Sequence, residues 1–185
     1  MSKVLVPLAQ GCEEIEAVTV VDVLRRAGVE VVTAGLAPGM VTGSHGLRLM
    51  PDAVLSDVLE QPFDMVVLPG GMPGAAHLAA DAGLLVLLRR MAEAGKYVAA
   101  ICAAPTVLAQ AGLLRGKAAT SYPGFLDRSP APGMTYRTDA VVADGRIVTS
   151  RGPGTAMDFS LQLAELLAGE AVRREVEAGL VRSLP

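Results

Sequence analysis

Short apolar runs interleaved with helical patterns set the strongest limit on what this chain can become. Residues 3–8, 30–34, 65–68 and 97–101 are such runs, each ending in a turn of small residues. Runs of this length rich in Val, Leu and Ile read as strands buried on both faces of a parallel sheet, because a half-exposed strand would alternate. Between them lie helices. One begins near Glu13 and is ended by Gly28; another, from Asp81 to Ala94, turns Leu84, Leu85, Leu87, Leu88 and Met91 inward. Strands alternating with helices predict an α/β sandwich, whose ligands lie beyond the carboxyl ends of the strands.

The remaining segments are lighter. Residues 39–50 alternate weakly around glycines and predict a small hairpin with His45 in its turn, a surface histidine without carboxylate or cysteine neighbours. A short connecting helix is expected over 51–59 and a short strand over 117–121. Residues 138–143 and 146–150 should pair across Asp144-Gly145, the strongest hairpin signal in the chain. A helix over 156–167 has Thr155 as its N-cap. Gly152 and Gly154 before it invite a dinucleotide reading, but Met157 stands where a third glycine is needed. The final polar helix, 170–180, carries a thin stripe of Val172, Val176 and Leu180 suited to the periphery or a partner subunit.

Residues 97–106 carry the chemistry. The strand ends at Cys102, and Pro105 suits the first turn of a helix behind it. Ala100 and Ala104 are small enough for a sharp strand-to-helix elbow. A thiol there meets the positive end of a helix, which predicts a pKa below the free value of about 8.5. The alternative, a small buried hydrophobe, is disfavoured by the elbow. Steps of three and four from Glu16 reach Val20, Val23 and Ala27, so Glu16 points inward, where desolvation raises a carboxyl pKa. Glu14 leads through Val18 and Val21 to Arg25 and reads as solvated; Glu13, leading to Ala17, Val20 and Leu24, stays open. Gly70-Gly71 follows the strand 65–68, either to let backbone N–H groups face an anion or to make a turn needing positive φ. The set allows covalent addition to an electrophilic carbonyl: Cys102 attacks, the Gly71 and Ala103 N–H groups hold the oxyanion, and Glu16 moves the proton. It equally allows a redox sensor. A Cys-His-Asp hydrolase is harder to build, since His45 and His77 both precede Cys102.

Composition narrows the setting. With 185 residues and 51% hydrophobic content, a single domain over 1–185 can bury its own core. Two cysteines suit a reducing compartment. No apolar run approaches the roughly 20 residues of a membrane span and no basic leader is visible, so a cytoplasmic protein without membrane contact is expected. The net charge of −3 and scattered basic residues argue against nucleic-acid binding. No metal-ligand set or cofactor motif stands out.

Five blocks, in this order, carry a family resemblance: Gly11-Cys12-Glu13-Glu14-Ile15-Glu16, Val23-Leu24-Arg25-Arg26-Ala27-Gly28, Val66-Val67-Leu68-Pro69-Gly70-Gly71, Ala99-Ala100-Ile101-Cys102-Ala103-Ala104-Pro105 and Thr149-Ser150-Arg151-Gly152-Pro153-Gly154-Thr155. With them the chain closely resembles the ThiJ/PfpI superfamily, in the branch of the Parkinson-disease protein and its bacterial relatives. The resemblance implies a flavodoxin-like three-layer sandwich with a mostly parallel sheet, a homodimer, a nucleophilic and oxidation-sensitive Cys102, and Glu16 as its protonated partner, with Gly70, Tyr122, Pro123 and Arg151 as further pocket residues. It implies cofactor-free glyoxalase activity on methylglyoxal, deglycation of glycated proteins and nucleotides, and oxidative-stress or chaperone roles. Two departures matter. Ala103 stands where the protease-like members carry a histidine, which disfavours a peptidase, and Tyr122-Pro123 stands where several relatives place a histidine before proline.

Overall fold

The structure, a computed structural model, describes residues 1–182. In chain order it runs β1 (Lys3–Leu8), α1 (Glu14–Arg26), β2 (Glu30–Gly35), a hairpin of β3 (Val41–Thr42) and β4 (Arg48–Leu49), β5 (Ala53–Val54) and α2 (Leu55–Val58). Then follow β6 (Met65–Leu68), α3 (Gly74–Ala80), α4 (Ala82–Glu93), β7 (Tyr97–Ile101), α5 (Pro105–Gln110), β8 (Ala118–Ala119), β9 (Thr135–Tyr136), β10 (Val141–Asp144), β11 (Ile147–Ser150), α6 (Ala156–Ala168) and α7 (Glu170–Gly179).

Seven strands form one sheet in the order β10-β11-β7-β6-β1-β2-β5. Every pairing in it is parallel except β10 with β11, the hairpin expected across Asp144-Gly145. The central strands are buried on both faces and divide their side chains by the two-residue period of a strand. Val4, Val6, Met65, Val67, Ala99 and Ile101 face α1, α6 and α7, whereas Leu5, Val66, Leu68, Val98 and Ala100 face the layer of α2 to α5. The expected three-layer α/β sandwich is therefore present. Leu24, Leu84, Leu88, Leu108 and Phe159 are fully buried between layers, each contributing about 1.5–3 kcal/mol by removal from water.

Two expectations need correction. Residues 53–54, expected within a helix, extend the sheet edge by pairing with Ala34 and Gly35, and the helix is confined to α2. The cause is Asp52, whose carboxylate takes hydrogen bonds from the Thr33 N–H at 2.9 Å and hydroxyl at 2.8 Å and so ties the segment beside β2. The strand expected over 117–121 shrinks to β8, which pairs with β9 outside the main sheet. At the end of β11, Thr155 occupies the residue before α6, but its hydroxyl takes the Gly152 N–H at 3.1 Å and pairs with the Ser150 hydroxyl at 2.8 Å instead of capping the helix. Val176 of α7 is buried against the core, and Val172 and Leu180 pack at its margin.

Candidate active site

The carboxyl ends of β11, β7, β6 and β1 lie side by side, and the loops leaving them build the site. Beyond β7 the chain turns so sharply that Cys102 takes φ +65°, a left-handed conformation that a side chain other than glycine rarely adopts. Three hydrogen bonds hold it there. The Cys102 N–H donates to the Ser150 carbonyl at 3.0 Å, its carbonyl accepts from the Tyr122 N–H at 2.9 Å, and the Ala104 N–H closes the turn on the Ile101 carbonyl at 3.0 Å. A side chain kept on a strained turn by its surroundings is the pattern of pre-organised functional turns.

The crowding that admits this turn comes chiefly from across the sheet. A Cβ on Gly70 would lie 2.7 Å from the Cys102 Cβ and 2.9 Å from the Ala103 nitrogen, and one on Gly71, at φ +83°, would lie 2.4 Å from the Glu13 nitrogen. The glycine doublet therefore serves both readings: positive φ at Gly71 and close backbone approach at both residues. Its N–H groups divide. Gly70 donates to Glu16 Oε2 at 2.7 Å, whereas the Gly71 and Ala103 N–H groups favour the charged form of the Cys102 thiol.

Glu16 is fully buried, Cys102 almost so. Oε1 has no hydrogen-bond partner among the described residues. Burial above all pushes the Glu16 carboxyl up to about 7, helped by the nearby Glu13 and opposed by the Gly70 N–H and the thiol. The thiol does not follow the expected fall. Burial and the facing Glu16 carboxylate push Cys102 up to about 12, against the pull of the Gly71 and Ala103 N–H groups. The correction has a simple physical cause: two desolvated groups that repel one another when both are charged retain a proton between them. Transfer of the thiol proton to Glu16 would leave one negative charge in the site before and after.

The other anticipated residues separate. The Tyr122 ring packs against Gly152, where a Cβ would lie 3.1 Å from it, and edge-on to Phe125 at 6.4 Å between centroids. Pro123 is exposed beside it. Arg151 points its guanidinium to the Thr138 carbonyl at 2.9 Å. Cys12 is buried, and burial and Glu14 push its thiol up to about 11. His77 lies within α3 and reaches the Gln10 carbonyl at 3.0 Å. A cavity of about 370 Å³ lined by Gln10, Pro38 and His77 and one of about 280 Å³ between α1 and Met50 do not include Cys102.

Glu14 and His45 contradict their expected surroundings. Glu14 is buried, because the hairpin folds over it: the His45 and Leu47 N–H groups donate to its Oε1 at 2.7 and 3.2 Å. Burial opposes its charge, but these hydrogen bonds, with those from its own N–H and the His45 ring, hold the carboxyl down to about 2. His45 is exposed as expected, yet it has carboxylate partners after all. Its proximity to Glu14, 31 residues away, left no local sequence signal.

An α/β sandwich with a cysteine on a strained elbow, faced by a buried carboxyl and two backbone donors, defines a class of protein. Residues 2–166 match the DJ-1/PfpI family, and the chain belongs to it. It is 46% identical to protein dj-1beta of Drosophila melanogaster over 98% of each chain. It is 38% identical to the glutathione-independent glyoxalase DJR-1.2 of Caenorhabditis elegans, over 86% of this chain and 85% of that one. The structure of oxidized Toxoplasma gondii DJ-1 superposes over 100% of both chains with a TM-score of 0.94 at 40% identity. No helix among the described residues is long and apolar enough to cross a membrane.

Proposed function

We propose that the protein is a cysteine-dependent glyoxalase or deglycase that needs no cofactor and acts on methylglyoxal or its adducts with proteins. The observation that supports this most directly is the burial of Cys102, on its left-handed turn, with the Glu16 carboxyl beside Gly70, Gly71 and Ala103. The 38% identity to a nematode glyoxalase agrees with it. The Cys102 sulfur adds to the aldehyde carbon, and the former carbonyl oxygen, held by the two N–H groups as charge develops, takes the thiol proton by way of Glu16. The Glu16 carboxylate then removes the remaining hydrogen of that carbon as a proton, and the electron pair forms an enediol. Reprotonation at the neighbouring carbon leaves the thioester of lactate, which water cleaves, its hydroxyl going to the acyl carbon and its hydrogen to sulfur. One carbon is oxidised, its neighbour reduced, and the sum is addition of one water.

The test is lactate formation from methylglyoxal by the natural chain, Cys102→Ser and Glu16→Ala, freed of trace glyoxalases. Activity confined to the natural chain is expected; equal rates in all three would sink the reading. A second reading, a redox sensor in which peroxide converts the Cys102 thiolate to sulfenate and then sulfinate, is favoured by the oxidized state of the Toxoplasma relative. It predicts a gain of two oxygens on Cys102 before Cys12, read by mass spectrometry of the intact chain and its peptides. Self-association as a homodimer is supported by the exposed apolar residues Ile15, Val18, Leu47 and Met50. Sedimentation of a Val18→Arg variant as a monomer beside a natural dimer is the expected outcome.

A further inference from the structure

The rim of the elbow carries a ring that the reaction above does not use. Among the described residues Tyr122 is the one exposed aromatic side chain, although an aromatic ring gains most from burial. Main chain holds it at the site. The Tyr122 N–H donates to the Cys102 carbonyl at 2.9 Å, so its side chain starts beside the residue that bears the thiol. A turn over Pro123-Gly124, with Gly124 at φ +97° and the Phe125 N–H donating to the Tyr122 carbonyl at 3.3 Å, brings Phe125 back against it. The Ser121 hydroxyl braces the turn, donating to the Tyr122 carbonyl at 3.0 Å and accepting the Leu126 N–H at 3.1 Å.

The ring itself is fixed on two sides. It rests against Gly152, just past the end of β11, where a Cβ would come within 3.1 Å of its Cδ2. Phe125 meets it edge-on, with the planes at 77°. What remains uncovered, 48% of the residue, faces solvent. The strand order puts β7 between β11 and β6. Tyr122 therefore sits on the β11 side of Cys102, whereas Gly70-Gly71 and the start of α1, joined by the Glu13 N–H to the Gly70 carbonyl at 3.0 Å, sit on the β6 side. The elbow separates its open surface from the α1 and hairpin residues assigned above to self-association. An aromatic surface held in one orientation suits a second flat ring, because little rotamer freedom is left to lose on stacking.

We propose that Tyr122 is a specificity-determining residue that makes the Cys102 site prefer carbonyl compounds with a flat aromatic substituent, such as aryl α-oxoaldehydes, over methylglyoxal. The inference rests on the reading of Cys102 as a thiol that adds to carbonyl compounds. With phenylglyoxal the same steps apply. Sulfur adds to the aldehyde carbon, the hydrogen of that carbon passes as a proton by way of Glu16 to the neighbouring carbon that bears the ring, and water cleaves the thioester to mandelate and free thiol. One water is added, and no outside oxidant or reductant is consumed. The phenyl group stands where methylglyoxal has its methyl, on the carbon next to the one bonded to sulfur, and stacks on Tyr122.

The experiment has two arms, both on the full-length chain. In the first, Cys102 is alkylated by phenacyl bromide and by bromoacetone, sulfur displacing bromide in each, and the rates are read at the Cys102 peptide by mass spectrometry. The ratio of the two rates, divided by the same ratio for N-acetylcysteine, cancels thiol ionisation and the reagents' own reactivity. A preference for the aryl reagent of at least about fivefold is expected. Tyr122→Phe should retain it, and Tyr122→Leu, which keeps an apolar side chain without the flat ring, should lose it. In the second arm, kcat/KM for phenylglyoxal relative to methylglyoxal should fall at least about fivefold in Tyr122→Leu; this ratio is insensitive to any fraction of the chain left unfolded. No aryl preference in the natural chain, or an equal preference in Tyr122→Leu, would overturn the proposal. Turnover of neither oxoaldehyde with the alkylation preference intact would overturn the glyoxalase reading alone and leave the selection by Tyr122 standing.

Discussion

Glu14 and Glu16 stand two residues apart on the first turn of α1, and both are buried, yet one is held down to about 2 and the other pushed up to about 7. Burial is the largest influence on each and opposes charge in each. What differs is the supply of donors. The β3–β4 hairpin gives Glu14 two backbone N–H groups, a hydroxyl and an imidazole, while the sheet edge gives Glu16 the Gly70 N–H and a thiol. The contrast teaches that a buried carboxyl becomes a permanent anion or a proton carrier according to what its neighbours donate. Glu14 organises structure; Glu16 is left free to exchange a proton.

The largest expected effect breaks the pair apart by function. Glu16→Gln keeps an oxygen for the Gly70 N–H but cannot accept the Cys102 proton, and turnover of methylglyoxal should fall about 10²–10⁴-fold. Glu14→Gln should leave turnover within a few-fold. Steady-state lactate formation measures both, and a larger loss at Glu14 would reverse the roles argued above.

The same variants separate in stability. Glu16 holds its proton to about 7 in the folded chain against an ordinary 4.5. Between those values the folded state binds more protons than the unfolded one, so stability falls as pH rises through this window. The loss is on the order of 3 kcal/mol by pH 8. Urea unfolding at pH 5 and pH 8 should show that slope in the natural chain and lose it in Glu16→Gln, which should be the more stable chain at pH 8.

These opposite fates were only half legible in the sequence. The inward direction of Glu16 followed from helical periodicity alone, and Cys102 on its elbow from a strand meeting a proline-started helix. The alternation of strands and helices followed the same way, because buried strands and their connecting helices are local patterns. Glu14 was misjudged since the hairpin that buries it arrives some 30 residues later, and β5 was misjudged since Asp52 reaches back to Thr33. The Cys102 pKa was misjudged for a related reason: the helix end is visible in sequence, whereas the facing Glu16 and the exclusion of water are not. Contacts between distant segments decided every one of these.

Glu14→Gln provides the next test. With its pKa lowered to about 2 from 4.5, the native carboxylate contributes stability that is present above about 4.5 and lost as pH falls toward 2. Replacement with an amide should cost about 2 kcal/mol at pH 7, as donors of the hairpin lose a charged acceptor. The cost should shrink on acidification. A deficit that stays constant down to pH 3 would assign the loss to packing of the hairpin instead.

The smallest effect asks whether Glu16 carries the proton alone. Tyr122 is 48% exposed. Its main-chain N–H fixes the Cys102 carbonyl, a contact independent of the phenol. Its ring keeps Gly152 and Phe125 as neighbours without needing the hydroxyl. Tyr122→Phe should therefore change stability by less than about 0.5 kcal/mol and turnover by no more than about twofold. If turnover instead fell as far as in Glu16→Gln, the phenol would share the proton transfer, and the division between a structural and a chemical carboxyl on α1 would have to admit a third group.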